Sequence, residues 1–545
     1  MPADAAPGPD ALADLYTAHL RDRPDDTVLI DDTGALSYRG FDVLCARSAR
    51  WLAAQGIAAG DKVAVWLPNR REWPALLFAL ARLGATLVAI NTRYRSAELQ
   101  YILARSRARM LVMQPSFRKI DFPAVLAGMA PDALPDLQTI ALVDAGSDRP
   151  GRVLGRDTVA YPPAIGNGIS NGKLAAEPPS ARPPDPTHPV ILFTTSGTTQ
   201  GPKLVMHSAA TLLAHSRQVA SAYGLHEPGA RLLAALPLCG VFGLNGVLAA
   251  LHGGAPVVMM DLFDAPRAAR LLRDERITHA FGSDEMMRRI AELAPGERPF
   301  PHARVFGFAS FSPGSAELVD TLQQRGFPLR GLYGSSEVQA LFSLQHPGLP
   351  AAERALGGGI PASPHAQVRV RDPAGPELCA PGVHGEIEIR APGNFIGYLD
   401  NPDATAQALT TDGYFRTGDL GYLRPDGSFV YLSRMGDTLR LGGFLVDPAE
   451  IEHALSRLPG VRNAQVVGID LDGQPRAAAF VIADPGVAAE DLLAPLRASL
   501  AAFKVPARLW LVDEYPTAAS ANGFKIQRAR LRQMADERLR HETPA

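Results

Sequence analysis

Cysteine is scarce in this 545-residue chain, with only Cys45, Cys239 and Cys379, far apart and without CxxC spacing. That leaves neither a disulfide framework nor a zinc cluster, and a reducing cytoplasm is the expected location. An excess of either charge is also lacking: 54 basic against 56 acidic side chains give a formal net charge of −2. Without the diffuse attraction that phosphate backbones exert on basic proteins, no nucleic-acid partner is expected. The opening MPADAAPGPDALADL carries acids where a secretory leader carries a basic end and an apolar run. Long apolar runs are missing as well. The uncharged stretch 240–260 approaches membrane-span length but holds Asn245, His252, Pro256 and five glycines. It therefore reads as a buried helix and strand, and no membrane span is expected. No period of 20–50 residues recurs, which excludes a repeat array.

What is present is ample apolar material, 46% against 20% charged. At about 150 residues per domain the length allows three or four domains, or one large and one small. Residues 36–113 alternate between helix and strand: LSYRGFDVLCARSARWLAAQG is amphipathic through Phe41, Leu44, Cys45, Ala49 and Leu52, and DKVAVWL is a short buried strand. PALLFALARLG then reads as a helix and ATLVAI as another strand, so layered α/β packing is expected. Residues 145–189, rich in Pro, Gly and Ser, read as a long surface connection. VILFTTSG opens a second α/β series to about 345, 365–432 alternates short strands with turns, and 437–545 has its own α+β pattern.

The chemistry concentrates in a few segments. TTSGTTQGPK, Thr194 to Lys203, follows the apolar strand VILF. Its hydroxyls, glycines and terminal ammonium suit the phosphates of a nucleotide, with an ordinary polar turn as the alternative. It is not a Walker A loop, since no GK[ST] follows at the required spacing. Downstream lie Tyr333–Glu337 (YGSSE), Tyr414–Leu420 (YFRTGDL) and Ser433–Glu452 (SRMGDTLRLGGFLVDPAEIE).

These four motifs, in this order, make the chain resemble the adenylate-forming superfamily of acyl-CoA synthetases, luciferases and peptide-synthetase adenylation domains, over about residues 12–540. The resemblance implies an α/β fold. Its large N-terminal domain, residues 1–435, would comprise layered α/β sheets plus a distorted β-barrel, followed by a small mobile α+β domain at 436–545. It implies an ATP-dependent carboxylic acid:CoA ligase of the AMP-forming type, using ATP, magnesium and coenzyme A, and it admits a homodimer.

Residue by residue, the resemblance assigns the outer phosphates of ATP to Thr194, Thr195, Ser196, Gly197, Thr198, Thr199, Gly201 and Lys203. Gln200 and Leu204 stand where the family usually has glycine. Tyr333 and Gly334 would face adenine with Ala309 and Ser310 of GFAS, and Ser335 and Ser336 would lie at the phosphates. Glu337 would hold magnesium, a hard cation that prefers carboxylate and phosphate oxygens. Asp419 and Arg434 would take the ribose hydroxyls, because a carboxylate accepts from both. Gly436 occupies the hinge position, where glycine imposes little restriction on φ. Gly442 and Gly443 match the loop that lets the pantetheine arm pass. In NGFKIQR, Lys525 is the candidate for the catalytic lysine, although Phe524 separates the usual Gly-Lys pair. The chain has six lysines against 48 arginines, and Lys203, Lys504 and Lys525 all fall in family motifs. Retention there suits a compact ammonium.

For the acid, the family's PLFHVFG-like segment is PLCGVFG here, with Cys239 and Gly240 replacing bulky groups. Gly240, Val241, Phe242, Asn245, Gly246, Met286, Val338 and Ala340 are the expected lining, which offers no charge to a second carboxylate or an amine. The expected substrate is an apolar monocarboxylic acid, whether fatty, aromatic or alicyclic. Two readings stand beside the CoA ligase: an adenylating enzyme without CoA (a β-lactone synthetase or carrier-protein ligase), and a catalytically silent nucleotide-binding protein.

Overall fold

The structure, a computed structural model, describes all residues except 1–10, 118–119, 145–149, 163–187, 195–201, 310–314, 436–438, 442–443, 447, 472–473, 501–503, 521–522 and 543–545. It is a mixed α/β protein with a large N-terminal and a small C-terminal domain. Ser37 starts the helix Tyr38–Ala54 by accepting from the Gly40 amide at 3.1 Å, a cap that satisfies one of the free N–H groups of the first turn. The face read from the sequence, Phe41, Leu44, Cys45, Ala49 and Leu52, is buried. Lys62–Trp66 and Thr86–Ala89 form the expected buried strands, joined through the helix Glu72–Arg82. Both belong to a sheet of nine strands among the described residues, whose central strands are parallel. Pro189–Thr194 lies beside Thr86–Ala89 in that sheet and pairs antiparallel with Leu204–Ser208.

The second sheet has 13 strands among the described residues. Its parallel part includes Leu232–Ala234, His279–Ser283, Val305–Ala309 and Leu329–Ser335. Direction then reverses. Gln339–Leu344, Gly357–Pro361, Phe429–Arg434, Phe415–Leu423, Gly385–Arg390 and Gln367–Arg371 continue it antiparallel, and the described pairings leave it open. This continuation contains the short strands expected over 365–432.

The uncharged stretch 240–260 is the buried helix Val241–Gly253, ended by left-handed Gly254, followed by the strand Val257–Met259. Thirteen residues at 1.5 Å each span about 20 Å, short of a bilayer core of about 30 Å. Among the described residues no helix is long and apolar enough to cross a membrane.

The long connection expected over 145–189 is a correction in part. Arg156–Ala160 and the edge strand Arg152–Val153 extend the nine-stranded sheet, and the buried Tyr161 meets Ser48 Oγ at 2.5 Å through its hydroxyl. The alternation of Thr158, Val159 and Ala160 is too short to stand out among the flanking glycines and prolines. Residues 163–187 of that connection lie outside the described residues.

From Leu439 onward the chain packs around its own apolar cluster, including Leu441, Ile451, Leu455, Val466, Ala479 and Leu496. The expected helices and strands are there as Pro448–Ser456, Ala489–Ser499, Val461–Leu471 and Gln474–Ala483.

Candidate functional site

The site forms where the parallel part of the larger sheet gives way to the antiparallel part. Tyr333 to Ser335 end the strand Leu329–Ser335, and the chain turns back as Gln339–Leu344. A Cβ at Gly334 would lie 2.5 Å from Ala340 Cα, so only glycine lets the two strands approach so closely. Gln339 and Leu341 hold φ of 66° and 62°, left-handed values that non-glycine residues rarely adopt.

Tyr333 is buried, and its hydroxyl donates to Asp419 Oδ2 at 2.5 Å. Asp419 and Arg434 are direct partners on neighbouring antiparallel strands. Arg434 Nη1 donates to Asp419 Oδ1 at 2.8 Å and to the Thr417 carbonyl at 2.5 Å. Burial raises the Asp419 carboxyl above its ordinary range, opposed by the Arg434 charge and the hydrogen bonds from Tyr333 and Arg434. Burial, reinforced by Asp419, drives the Tyr333 phenol far up, so it remains a donor. Each Asp419 oxygen keeps a second lone pair, enough to accept from two further hydroxyls.

A second cluster lies across the loop. The carboxylate of Glu337, largely buried, accepts from the Tyr398 hydroxyl at 3.0 Å. Lys203 Nζ sits over the same tyrosine ring, 4.6 Å from its centroid. Tyr398 had no place in the sequence reading, since a lone aromatic in GNFIGYLD carries no signal of its own. Among the described residues no group of three or more His, Cys, Asp or Glu could hold a metal. A divalent cation at Glu337 would therefore draw its remaining oxygens from water and substrate phosphates, the manner in which magnesium is usually held.

Buried groups brace the loop from beneath. His207 Nε2 donates to the Ser336 carbonyl at 2.7 Å, and His215 Nε2 to the Ala340 carbonyl at 2.7 Å. Burial lowers both imidazoles to about 4, so both are neutral near pH 7. Gln339 Nε2 donates to the Thr211 and Gly393 carbonyls at 2.9 and 2.8 Å. Asn245 Nδ2 donates to Gln339 Oε1 at 2.9 Å, while its Oδ1 accepts from the Ala340 amide at 2.9 Å. Asn245, expected to line the acid pocket, is fully buried and serves as the brace behind the wall. His207, His215 and Gln339 are isolated polar residues in apolar surroundings, and only their partners give them meaning.

Phe242 and Gly246 of the expected pocket do line a small apolar recess, together with Leu232 to Leu236, Gly243 and Phe281. Asn69 holds the chain after Leu236, donating from Nδ2 to the Leu236 carbonyl and accepting from the Leu238 amide, both at 2.8 Å. Val338 and Ala340 are buried in the returning strand, whereas Gly240 and Val241 are half-buried at the helix start. The Met286 side chain lies close to Gly282.

Of the other expected residues, Thr194 ends its strand with Oγ1 2.8 Å from the Tyr94 hydroxyl, and Ala309 ends the strand beside Tyr333. Ser335 Oγ accepts from the Glu337 amide at 3.2 Å, tightening the YGSSE turn. Lys525 sits on the hairpin strand Gly523–Ile526, opposite Ala518. Lys504 pairs with Glu450 at 2.5 Å. Thr195, Ser196, Gly197, Thr198, Thr199, Gly201, Ser310, Gly436, Gly442 and Gly443 lie outside the described residues.

Comparison with known proteins adds family matches to this geometry. Residues 16–399 match the family model for the AMP-binding enzyme, and 450–522 the model for the AMP-binding enzyme C-terminal domain. The (7a-methyl-1,5-dioxo-octahydro-inden-4-yl)propanoyl:CoA ligase of Rhodococcus jostii is 31% identical, over 87% of this chain and 89% of its own. The 3-hydroxybenzoate–CoA ligase of Aromatoleum is 29% identical over 94% of each chain. ATP-bound MatB from Rhodopseudomonas palustris superimposes with a TM-score of 0.80 at 25% identity, covering 97% of this chain and 99% of that one.

Proposed function

Because this chain belongs to the AMP-binding enzyme family, we propose that it is an ATP-dependent carboxylic acid:CoA ligase acting on an apolar monocarboxylate. One observation carries the reading. The two ends of YGSSE meet two clusters: Tyr333 touches Asp419, which pairs with Arg434, and Glu337 and Lys203 both touch Tyr398.

In this reading the Asp419 carboxylate accepts from both ribose hydroxyls, and Arg434 opposes the cost of burying its charge. Tyr333 lays its ring against the base while its hydroxyl orients Asp419. Lys203 and the loop before it take the outer phosphates. Glu337 offers magnesium one carboxylate, and magnesium when bound would neutralise charge on the phosphates. The substrate carboxylate attacks the α-phosphate, pyrophosphate leaves, and the CoA thiol then displaces AMP from the acyl carbonyl. Lys525 is the group we assign to offset charge on the α-phosphate during the first step. We set the domain boundary at 435/436, with Gly436 as hinge. Dependence on ATP and CoA accords with a cytoplasmic setting.

The apolar recess beside Phe242 and Phe281, with the Asn245 amide engaged on protein groups, disfavours a second carboxylate or an amine on the acid. The acid we propose therefore carries a fatty, aromatic or alicyclic body. The test is acid-dependent pyrophosphate release from magnesium–ATP across such a panel, with thioester measured with and without CoA. Release without thioester would establish adenylation to another acceptor. No release with any acid, at saturating ATP, would overturn the reading.

A further inference from the structure

The segment 395–399 ties the two halves of the phosphate-side cluster together. On one side the Phe395 amide donates to the Glu337 carbonyl at 2.7 Å. On the other, the Ile396 and Leu399 amides donate to the Met206 and Leu204 carbonyls at 3.0 and 2.9 Å. Tyr398 lies opposite Val205, two residues beyond Lys203. Its ring packs against Phe395, 4.9 Å between centroids, and its own amide donates to Thr405 Oγ1 at 3.0 Å. From that anchored backbone the phenol touches both charged groups, donating to Glu337 Oε1 at 3.0 Å and presenting its face to Lys203 Nζ at 4.6 Å.

We propose that Tyr398 is a positioning residue that keeps the Glu337 carboxylate from closing on Lys203, so that Glu337 is held for a divalent cation beside the outer phosphates. An ammonium and a carboxylate brought to the same place attract each other, and a direct pair would occupy both before substrate arrives. A phenol gives each a neutral partner instead: a hydroxyl for the carboxylate and a π face for the ammonium. A phosphate oxygen or a cation can displace either. This inference rests on the reading of Lys203 and Glu337 as phosphate and metal groups.

The test uses the full chain as wild type, Tyr398→Phe and Tyr398→Leu, with calorimetric titration of ATP at graded magnesium. Tyr398→Phe keeps the ring but no longer holds the Glu337 carboxylate, which can then close on Lys203 and must be pulled away before a cation binds. It should raise the magnesium concentration for half-maximal ATP binding about tenfold, the scale of one hydrogen bond to a charged group, with little change at saturating magnesium. Tyr398→Leu also removes the π face and should weaken ATP binding several-fold even at saturating magnesium, on the order of one cation–π contact. A merely structural tyrosine would shift the urea midpoint without this split. An unchanged magnesium requirement in Tyr398→Phe, with wild type binding ATP normally, overturns the spacing role alone. Failure of wild type to bind magnesium–ATP at all overturns the underlying site reading with it.

Discussion

Asp419 shows how a single residue is prepared by its neighbours: 4% exposed, it has a phenol on one oxygen and a guanidinium on the other. His207 is the contrasting case, a buried base kept neutral. Burial lowers it from 6.5 to about 4, and His215 likewise. In the unfolded chain an imidazole takes its proton near 6.5, so between about pH 6.5 and 4 the unfolded state binds more protons. Stability is therefore full above pH 6.5 and declines as pH falls toward 4. Urea unfolding across that window should show the decline, and His207→Gln should flatten it without abolishing it, since His215 remains. A wild-type midpoint that does not move between pH 7 and 5 would contradict the buried neutral imidazoles. Tyr333, Glu337, Asp419 and Arg434 were legible because each sits in a short motif whose neighbours give it meaning. His207, Gln339 and Tyr398 were not, because their partners are 129, 94 and 61 residues away in sequence.

At the scale of elements, the site depends on one reversal of the 13-stranded sheet. Leu329–Ser335 is parallel to its neighbour on one side and antiparallel to Gln339–Leu344 on the other. The tight return imposes positive φ on Gln339 and Leu341, and the buried helix Val241–Gly253 supplies the compensation through Asn245. Asn245→Ala would leave Gln339 Oε1 and the Ala340 amide without that partner in the interior. At roughly 1–3 kcal/mol for each unsatisfied buried group, the variant should lose about 2–6 kcal/mol in urea unfolding. It should also weaken ATP binding, because the same return carries Glu337. A loss below about 1 kcal/mol would mean that the strained return holds itself without the helix. The helix itself was readable from its uncharged run. The brace it provides was not, because an asparagine in such a run looks like a pocket residue until its two partners are known.

For the whole molecule, the consequence is a division of labour between two separately cored parts. The apolar cluster from Leu439 onward contains no residue of the large domain, and we propose that the small domain moves as a unit. If Gly436 is the hinge, Lys525 serves adenylation and the Gly442–Gly443 loop serves thioester formation. Lys525→Ala should then lose adenylation by about 10²-fold or more, the scale of one preorganised charge-stabilising group. Given a pre-made acyl-adenylate and CoA, it should still form thioester. Gly436→Pro should show near-normal adenylation with slow thioester formation. Pre-steady-state measurement of each half-reaction separates the two, and equal loss of both in Lys525→Ala would remove the rotation assignment.

Local patterns determined the order of elements, the apolar faces and the identity of the motif residues. Amphipathic periodicity, buried strands such as Lys62–Trp66, and residue types such as Asp419 and Arg434 are properties of neighbours along the chain. They persist wherever the segments end up. The tertiary structure alone decided that Arg152–Val153 and Arg156–Ala160 extend a sheet edge, and that Asn245 braces a strained return. It alone brought Tyr398 into contact with both Lys203 and Glu337. Each of these joins groups distant in sequence through hydrogen bonds or ring contacts only a few ångströms long. Such contacts depend on the packing of whole sheets and helices, and no single segment encodes that packing.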